Sequence, residues 1–288
     1  NEGISLVTAQ DPFEIGLIGY LAARQLKAKL QLQIHTDFLN PYFSRESLKN
    51  KIRVWLAKRL LPHADSIRVV SNRIKDSLSK VNRQLSKVFI LPIFVDVQKI
   101  QSTSVIADLH KKYPQFGTII LVASRLTQEK NILLAIKAMD KVIKSNPKVG
   151  LIIIGGGPEQ KKLELRAYNL KLKANIIFEP WVNDLTSYYK SADIFLNTSN
   201  YEGYGRTLIE AAAAGGAAII TTDVGMVGEA INKKNSLVIP VGDAGALEQS
   251  ILELIEDKNL RESLSQKAKE SAQNLGNKES YLQKYKQS

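Results

Sequence analysis

Residues 117–157 read GTIILVASRLTQEKNILLAIKAMDKVIKSNPKVGLIIIGGG, and this stretch decides the fold class. It opens with an apolar run that is rich in β-branched residues and continues with apolar residues at helical spacing. A second apolar run follows and ends in three glycines. Strand, helix and strand in this order are typical of a βαβ unit, in which the two strands lie parallel.

The same alternation extends over the whole chain. The predicted strands are ISLVTA, LQLQIHT, SIRVVS and KVFILPI in the first part, and GTIILVAS, GLIIIGG, NIIFEP, DIFLNTS, AAIITTD and SLVIPV in the second. Helical patterns separate them, including residues 13–26 and 46–60. The sequence therefore predicts an α/β protein with two parallel sheets, joined by a polar segment at residues 97–117 that lacks a strand pattern.

The length, composition and charge of the chain exclude several classes of protein and of binding site. The chain has 288 residues, which is more than one average domain needs, and no run approaches the roughly 20 apolar residues of a membrane span. It contains no cysteine, so disulfides and thiolate metal sites are excluded. Residues 1–113 carry 18 basic and 9 acidic side chains, against 22 and 19 in residues 114–288. The basic first part indicates either an anionic partner or a solvated surface.

Two cations follow the first strand of the second part. Arg125 and Lys130 in RLTQEKN flank the start of the next helix, where backbone N–H groups also favour an anion. A diphosphate fits such a site, and the alternative is a pair of ordinary surface cations. The next strand ends in GGGPE, which includes Gly156. This turn either admits a ligand closely or is a plain connection between strand and helix.

Residues 201–225, YEGYGRTLIEAAAAGGAAIITTDVG, place Glu202 and Glu210 eight positions apart. Gly203 and Gly205 lie between them, at the start of a predicted helix. Carboxylates accept hydrogen bonds from the hydroxyls of sugars and riboses. Because Glu210 is surrounded by leucine, isoleucine and alanine, we expect it to be partly buried and to have a partner.

These segments together resemble the retaining glycosyltransferases of family 4, which have the GT-B fold. Glu202 to Glu210 resembles the E-x7-E signature of that family, SRLTQEKN its Arg-x4-Lys segment, and GGGPE its G-x-GP turn. ADSIRVVSNRIKDSL and KVFILPIFVD resemble the end of its N-terminal domain, so the likeness covers nearly the whole chain. The implied fold is two Rossmann-like parallel-sheet domains facing a cleft.

The resemblance implies a hexosyltransferase that keeps the anomeric configuration and takes its sugar from a nucleotide-diphosphate donor. Arg125 and Lys130 would neutralise the diphosphate, and Glu210 would hold the ribose. Glu202 would hold the donor sugar, and His35 in QIHTDF would lie near the reacting sugar. The implied donor-binding residues are Arg125, Lys130, Gly156, Val182, Glu202, Gly203, Tyr204, Gly205, Thr207, Leu208 and Glu210. Neither a metal nor another cofactor is expected.

The predicted domains are residues 1–105, a partial acceptor-side domain, and residues 106–272, the nucleotide-sugar domain. Residues 273–288 are predicted to form a helix that returns to the first domain. We expect the N-terminal domain to be incomplete, because only about its last four strands have counterparts here. PIFVD and VGMVGE also depart from the family's usual junction and its Gly-Gly before a glutamate.

The implied acceptor is a glycan, as in polysaccharide biosynthesis, or a lipid-linked molecule, and the implied location is cytoplasmic. Residues 46–65, ESLKNKIRVWLAKRLLPHAD, mix basic residues with apolar ones and a tryptophan. This pattern indicates either contact with an anionic membrane at its inner face or a core helix with a basic outer face.

Three rival functions remain open. The first is an epimerase or phosphorylase with the same architecture, and the second is a non-catalytic protein that binds glycans or nucleotide sugars. The third is nucleic-acid binding by the basic part of the chain. No nucleic-acid partner is expected, because that part shows no cluster of aromatic residues for stacking bases.

Overall fold

The computed structural model describes residues 3–81, 85–223, 231–273, 275 and 278–287. The chain divides into two compact units. Unit 1 contains Asn1–Phe94, Tyr201–Tyr204 and Lys278–Ser288. Unit 2 contains Val95–Asn200 and Gly205–Asn277. The boundary predicted at residue 105 falls inside unit 2, and two later segments group with unit 1.

Unit 1 has a four-stranded parallel sheet in the order β1-β2-β3-β4. Its strands are β1 (Leu6–Ala9), β2 (Lys29–Ile34), β3 (Ser66–Val69) and β4 (Val88–Ile90). Its helices are α1 (Glu14–Leu26), α2 (Pro41–Glu46), α3 (Leu48–Leu60), α4 (Asn72–Ser79) and, at the end of the chain, α13 (Lys278–Gln287). Alternate residues of β2 and β3 are fully buried on one face, which forms the core of this unit.

Unit 2 has a six-stranded parallel sheet in the order β10-β9-β8-β5-β6-β7. Its strands are β5 (Thr118–Ala123), β6 (Val149–Ile154), β7 (Ile176–Glu179), β8 (Ile194–Asn197), β9 (Ala218–Thr222) and β10 (Leu237–Ile239). Its helices are α5 (Val97–Ser102), α6 (Leu109–Lys112), α7 (Ile132–Ser145), α8 (Gln160–Asn169), α9 (Leu185–Ser191), α10 (Arg206–Ala214), α11 (Ala244–Glu256) and α12 (Lys258–Gln273).

Burial explains why the sequence folds into these layers. Strands β6 and β8 are buried at every position, and such strands require helices on both faces of the sheet. Helix α7 buries seven residues at helical spacing and packs them into the core of unit 2. Helix α10 buries four consecutive alanines and ends at Gly215, whose left-handed φ of 65° terminates it.

The strand order of unit 2 creates a topological switch point. From β5 the chain proceeds to β6 and β7 on one side, and then returns to β8, β9 and β10 on the other side. The connections that leave the carboxyl ends of β5 and β8 therefore diverge, and ligands of open parallel sheets bind where such connections part. The Arg125–Lys130 segment follows β5, and the segment containing Glu210 follows β8.

The described residues contain all ten predicted strands. The helix predicted over residues 46–60 begins two residues later, because the Ser47 side chain accepts a hydrogen bond from the Asn50 backbone and caps α3. The segment at residues 97–117, predicted as a polar connection without a strand, contains the short helices α5 and α6.

Candidate functional site

The two connections at the switch point of unit 2 are held together by hydrogen bonds. The backbone nitrogen of Asn200 donates to the Glu129 carbonyl oxygen at 2.7 Å, and the Thr198 hydroxyl donates to the Lys130 carbonyl oxygen at 2.8 Å. The Asn131 side-chain amide donates to the Asn200 side-chain oxygen at 3.0 Å. The loop after β5 and the loop after β8 therefore form one structural element.

The two predicted diphosphate cations lie in the first of these loops. The Arg125 side chain is 74% exposed, and its guanidinium pairs with the Glu129 carboxylate at 3.0 Å. Lys130 ends a short 3-10 turn, Gln128–Lys130, and Asn131 separates it from α7. The helix dipole disfavours a cation near the start of a helix, so the dipole of α7 does not stabilise Lys130 at this position.

In the turn after β6, steric contacts require glycine at two of the three glycine positions. A Cβ atom on Gly155 would lie 1.9 Å from the Ser124 carbonyl oxygen, and one on Gly157 would lie 2.4 Å from that of Leu126. A Cβ on Gly156 would meet nothing within 4 Å. The first and third glycines are therefore required by the neighbouring loop, and Gly156 borders open space.

A cavity of about 580 Å³ lies at the carboxyl end of the sheet of unit 2. We call it the α9–α10 cavity, because residues of the loop before α9, of α9 itself and of α10 line it, together with α5. Its wall includes three of the predicted donor-binding residues, Val182, Thr207 and Glu210. Its volume falls within the range of about 300 to 1,000 Å³ that is usual for small-molecule sites.

Glu210 has the partly buried position and the partner that the sequence predicts. Its side chain is 15% exposed, and its Oε1 atom accepts a hydrogen bond from Arg206 Nε at 2.6 Å. The other oxygen, Oε2, accepts from the Tyr189 hydroxyl at 3.4 Å. Glu210 also lines the α9–α10 cavity, where its remaining lone pairs can accept further hydrogen bonds.

The start of α10 provides the backbone part of this site. Gly205 has a left-handed φ of 66° and directly precedes the helix, so the chain turns there in a way that favours glycine. The first turn of a helix leaves N–H groups without intrahelical partners, and Thr207 lies in that turn beside the cavity. Leu208 differs from these residues, because its side chain is fully buried and its N–H donates to the Gly205 carbonyl oxygen.

In unit 1, residues 201–204 pack against the end of β2. Glu202 and Tyr204 are 9% and 8% exposed. A Cβ atom on Gly203 would lie 1.8 Å from the His35 carbonyl oxygen, so only glycine fits there. The Gly203 carbonyl oxygen accepts a hydrogen bond from the Ser71 hydroxyl at 3.0 Å. The structure thus brings Gly203 and His35, which are far apart in sequence, into direct contact.

His35 follows β2 and is half-buried. Its Nε2 atom lies 3.3 Å from the side-chain oxygen of Gln33, and Arg68 donates to the same oxygen at 3.4 Å. Burial, followed by the nearby positive charge of Arg68, lowers the pKa of the His35 imidazole below its ordinary value of 6.5. The neutral imidazole is therefore the favoured form at neutral pH.

The predicted set lacks Arg206, Tyr189 and Ser71, which all contact predicted site residues. Tyr189 donates to Glu210, and Ser71 holds residues 201–204 as well as capping α4 through the Ile74 backbone. Both contacts join residues distant in sequence, so periodicity gives no signal for them. Ser71 does have a local signal, because a serine before a helical pattern is a typical N-cap.

Helix α3 exposes apolar residues instead of burying all of them. Leu48, Ile52 and Trp55 are 73%, 56% and 58% exposed and follow one another at helical spacing on one face. Ala57 and Leu60 provide the contact with the core. The Arg59 guanidinium lies over the Trp55 ring at 5.3 Å. The apolar residues of the predicted amphipathic helix therefore divide between the core and the surface.

The described part of the chain contains neither a cluster suited to a metal ion nor a helix suited to crossing a membrane. Within that part, no three side chains of histidine, aspartate or glutamate come together in a way that could hold a metal ion. None of its helices combines the length and the apolar character needed to cross a bilayer. The residues Gly225, Gly228 and Glu229 of the VGMVGE segment lie outside the described residues.

Comparison with known proteins gives matches over nearly the whole chain. Residues 108–271 match the family described as Glycosyl transferases group 1, and residues 1–99 match Glycosyltransferase Family 4. Alpha-monoglucosyldiacylglycerol synthase of Streptococcus pneumoniae is 27% identical over 223 residues, which are 74% of this chain and 50% of that protein. The chain thus spans about half the length of this curated relative.

Solved structures share the fold. The structure of Anabaena HepE in complex with UDP-glucose matches with a TM-score of 0.84 at 20% identity, over 98% of this chain and 78% of that chain. Sucrose-phosphate synthase from Thermosynechococcus elongatus matches with a TM-score of 0.85 at 22% identity, over 98% and 72%. The two parallel sheets are therefore those of GT-B glycosyltransferase structures. The match to Glycosyl transferases group 1 covers more than half of this chain, so the chain belongs to that family.

Proposed function

We propose that this chain is the donor-binding part of a retaining glycosyltransferase, which transfers a hexose from a nucleotide-diphosphate sugar to a glycan or a lipid-linked acceptor. The observation that carries the proposal is the place of Glu210. This carboxylate faces a cavity of suitable size, beside the start of α10 and at the switch point of a parallel sheet. A ribose hydroxyl is a donor that such a carboxylate would accept.

The diphosphate would lie between Glu210 and the loop after β5. Arg125 and Lys130 would supply positive charge there, and the first turn of α10 would supply N–H groups. During transfer, negative charge develops on the leaving diphosphate, and fixed donors that face it lower the barrier most. The acceptor oxygen would bond to the anomeric carbon on the same face from which the diphosphate leaves, which keeps the configuration. The leaving diphosphate would accept the proton of the acceptor hydroxyl, so no separate base would be needed.

In unit 1, the proposed sugar-contacting residues are Glu202 and His35, together with the backbone of Gly203 and Tyr204. The contact between Gly203 and His35 supports a common role for the two segments that carry them. The lowered pKa of His35 favours a neutral imidazole, which can both donate and accept hydrogen bonds of a sugar hydroxyl.

Calorimetric titration with UDP, GDP and ADP tests the donor site. We expect one of the three to bind the chain and the double variant Arg125→Ala/Lys130→Ala to lose that binding. The matched control is Lys161→Ala/Arg166→Ala, which removes the same charge from the exposed face of α8 and should bind normally. Failure of all three nucleotides to bind the wild-type chain would contradict the proposal.

Catalysis and its stereochemistry need a second measurement. The chain would be incubated with the sugar donor of the nucleotide that binds, and the released or transferred sugar would be followed by proton NMR. Retention predicts a first product with the anomeric configuration of the donor. Binding without any turnover would favour the rival function, a non-catalytic protein that binds nucleotide sugars.

The proposal also concerns the acceptor: the chain would contact the inner face of an anionic membrane. The exposed residues Leu48, Ile52 and Trp55 form an apolar stripe on α3, and Lys51, Lys58 and Arg59 are exposed beside it. A basic helix with an exposed apolar face of this kind binds at lipid headgroups. The name of the Streptococcus pneumoniae relative, a glucosyldiacylglycerol synthase, also supports a lipid acceptor.

A further inference from the structure

Tyr189 lies in the wall of the α9–α10 cavity although no motif contains it. Its side chain is 1% exposed, and its hydroxyl donates a hydrogen bond to Glu210 Oε2 at 3.4 Å. A buried phenol normally satisfies its hydroxyl with a nearby acceptor. Here that acceptor is the carboxylate of the proposed ribose-binding residue.

The position of the Tyr189 ring is fixed by the sheet. Its ring meets that of Phe195 in β8 edge to face, with 5.3 Å between the ring centroids. Because β8 is buried at every position, this contact ties the hydroxyl to a rigid part of unit 2. Burial, and next the charge of Glu210, raise the pKa of Tyr189 well above its ordinary value, so the hydroxyl keeps its proton and remains a donor.

The two donors to Glu210 differ in how firmly they are held. Arg206 is 65% exposed, so its guanidinium can move into solvent or toward a ligand. Tyr189 approaches from the core and cannot move without disturbing its neighbours. A carboxylate has about four acceptor positions, so two donors from the protein leave positions for the hydroxyls of a ligand.

We infer that Tyr189 is a positioning residue for ribose recognition: its hydroxyl fixes the orientation in which Glu210 meets the ribose hydroxyls of the nucleotide. This inference rests on the proposed function. Without the hydroxyl, Arg206 alone orients the carboxylate, and the carboxylate follows that mobile side chain. Tyr189 acts through Glu210, so its effect should depend on the ribose hydroxyls and not on the base or the diphosphate.

The test compares two nucleotides on two proteins. Whichever of UDP, GDP and ADP binds the wild-type chain is titrated, together with its 2′,3′-dideoxy analogue, into wild type and Tyr189→Phe. We expect Tyr189→Phe to weaken binding of the ribonucleotide about tenfold, which is typical of one hydrogen bond to a charged group. Binding of the dideoxy analogue should change less than about twofold, because it has no hydroxyl for Glu210 to accept.

Tyr188→Phe is the matched control. Tyr188 is the adjacent residue on α9 and is also buried, but its hydroxyl donates to Glu179 and not to Glu210. This variant should bind both nucleotides as wild type does. Glu210→Gln is a second test of the link between Tyr189 and Glu210, because it replaces the carboxylate but keeps the shape of the side chain. It should reduce the preference for the ribonucleotide, and adding Tyr189→Phe to it should have little further effect.

The outcomes separate this inference from the proposed function. If no nucleotide binds the wild-type chain, the proposed function fails and the inference fails with it. If the wild type binds but Tyr189→Phe weakens both nucleotides equally, or neither, only the inference is overturned. Equal effects of Tyr189→Phe and Tyr188→Phe would also overturn it, because they would reflect packing of α9.

Discussion

Arg206 and Glu210 form an ion pair across one turn of α10, with Arg206 Nε 2.6 Å from Glu210 Oε1. The basic residue stands at the first position of the helix, where the helix dipole disfavours a cation. An acid followed by a base is the more stabilising order at this spacing, and the order here is the reverse. Helix stability therefore gives little reason for this order, whereas the phosphorylated ligand of the proposed function would give one if it bound at the start of α10.

Replacing Arg206 should separate binding from stability. In Arg206→Gln, we expect the free energy of unfolding to change by less than about 1 kcal/mol, because exposed ion pairs contribute little. Affinity for the nucleotide diphosphate should fall about fivefold, the effect of one nearby charge in a water-like medium. Urea unfolding and calorimetry measure the two quantities, and Arg166→Gln on α8 is the control. A large loss of stability with unchanged affinity would contradict the ligand explanation.

Gly203→Ala should damage unit 1 through a steric clash. The added Cβ would lie 1.8 Å from the backbone oxygen of His35, so residues 201–204 must shift away from the end of β2. We expect a loss of roughly 1 to 3 kcal/mol in the free energy of unfolding. Gly156→Ala is the control, because its Cβ would meet nothing within 4 Å. Equal thermal unfolding midpoints for the two variants would rule out the clash.

Glu179→Gln should destabilise unit 2. The Glu179 carboxylate is 9% exposed and accepts hydrogen bonds from Lys112, Tyr113 and Tyr188 at 2.6, 2.5 and 3.0 Å. Burial alone raises the pKa of Glu179, but these hydrogen bonds outweigh it, and the pKa is lowered. An amide cannot serve all three donors, so we expect a loss of roughly 1 to 3 kcal/mol at neutral pH.

The pH dependence of that loss follows from the sign of the shift. Because the pKa of Glu179 is lower in the folded state, its stabilising contribution is present above the ordinary value of 4.5 and is lost as the pH falls below it. Wild type and Glu179→Gln should therefore converge in stability under acid conditions. Urea unfolding over a pH series measures this, and Glu159→Gln, at an exposed ion pair on the surface, is the control.

His35 should make unit 1 sensitive to acid. The pKa of His35 is lowered in the folded state, so the unfolded chain takes up the proton first as the pH falls through the ordinary value of 6.5. Stability is therefore lost in that window. We expect His35→Gln to lose less stability than wild type between about pH 8 and about pH 5. Parallel slopes in urea unfolding would show that the imidazole is not the group responsible.

Trp55 should report contact with an anionic membrane. Trp181 is the other tryptophan, so Trp181→Phe leaves Trp55 as the only tryptophan, whose emission is followed with excitation that tyrosine does not absorb. Its emission should shift to shorter wavelength with vesicles containing phosphatidylglycerol and stay unchanged with phosphatidylcholine alone. Adding Ile52→Ser should weaken the shift by removing an exposed apolar neighbour. An identical response to both kinds of vesicle would contradict an electrostatic membrane contact.

The strands could be predicted from the sequence because each is a short apolar run that ends in a turn. Helices α5 and α6 could not, since six and four residues are too few to show a helical period. Each begins after an aspartate, Asp96 or Asp108, whose side chain accepts backbone hydrogen bonds. That capping pattern was the available signal.

The candidate site could be predicted only in part. The partial burial and pairing of Glu210 follow from its neighbours in the sequence. Its second donor, Tyr189, is 21 positions away and belongs to another helix, so only the fold brings the two together. The contact between Gly203 and the backbone of His35 depends in the same way on packing between distant segments. Spacing within a motif carries no information about such contacts.

The hydrogen bonds between the loops after β5 and β8 have a consequence for protein engineering. Asn200 is bonded to both Glu129 and Asn131, so each loop supports the shape of the other. Exchanging residues 125–131 alone for those of a relative would leave the partners at residues 198–200 mismatched. Loop grafting that aims to change the preferred nucleotide sugar would therefore have to replace both segments together.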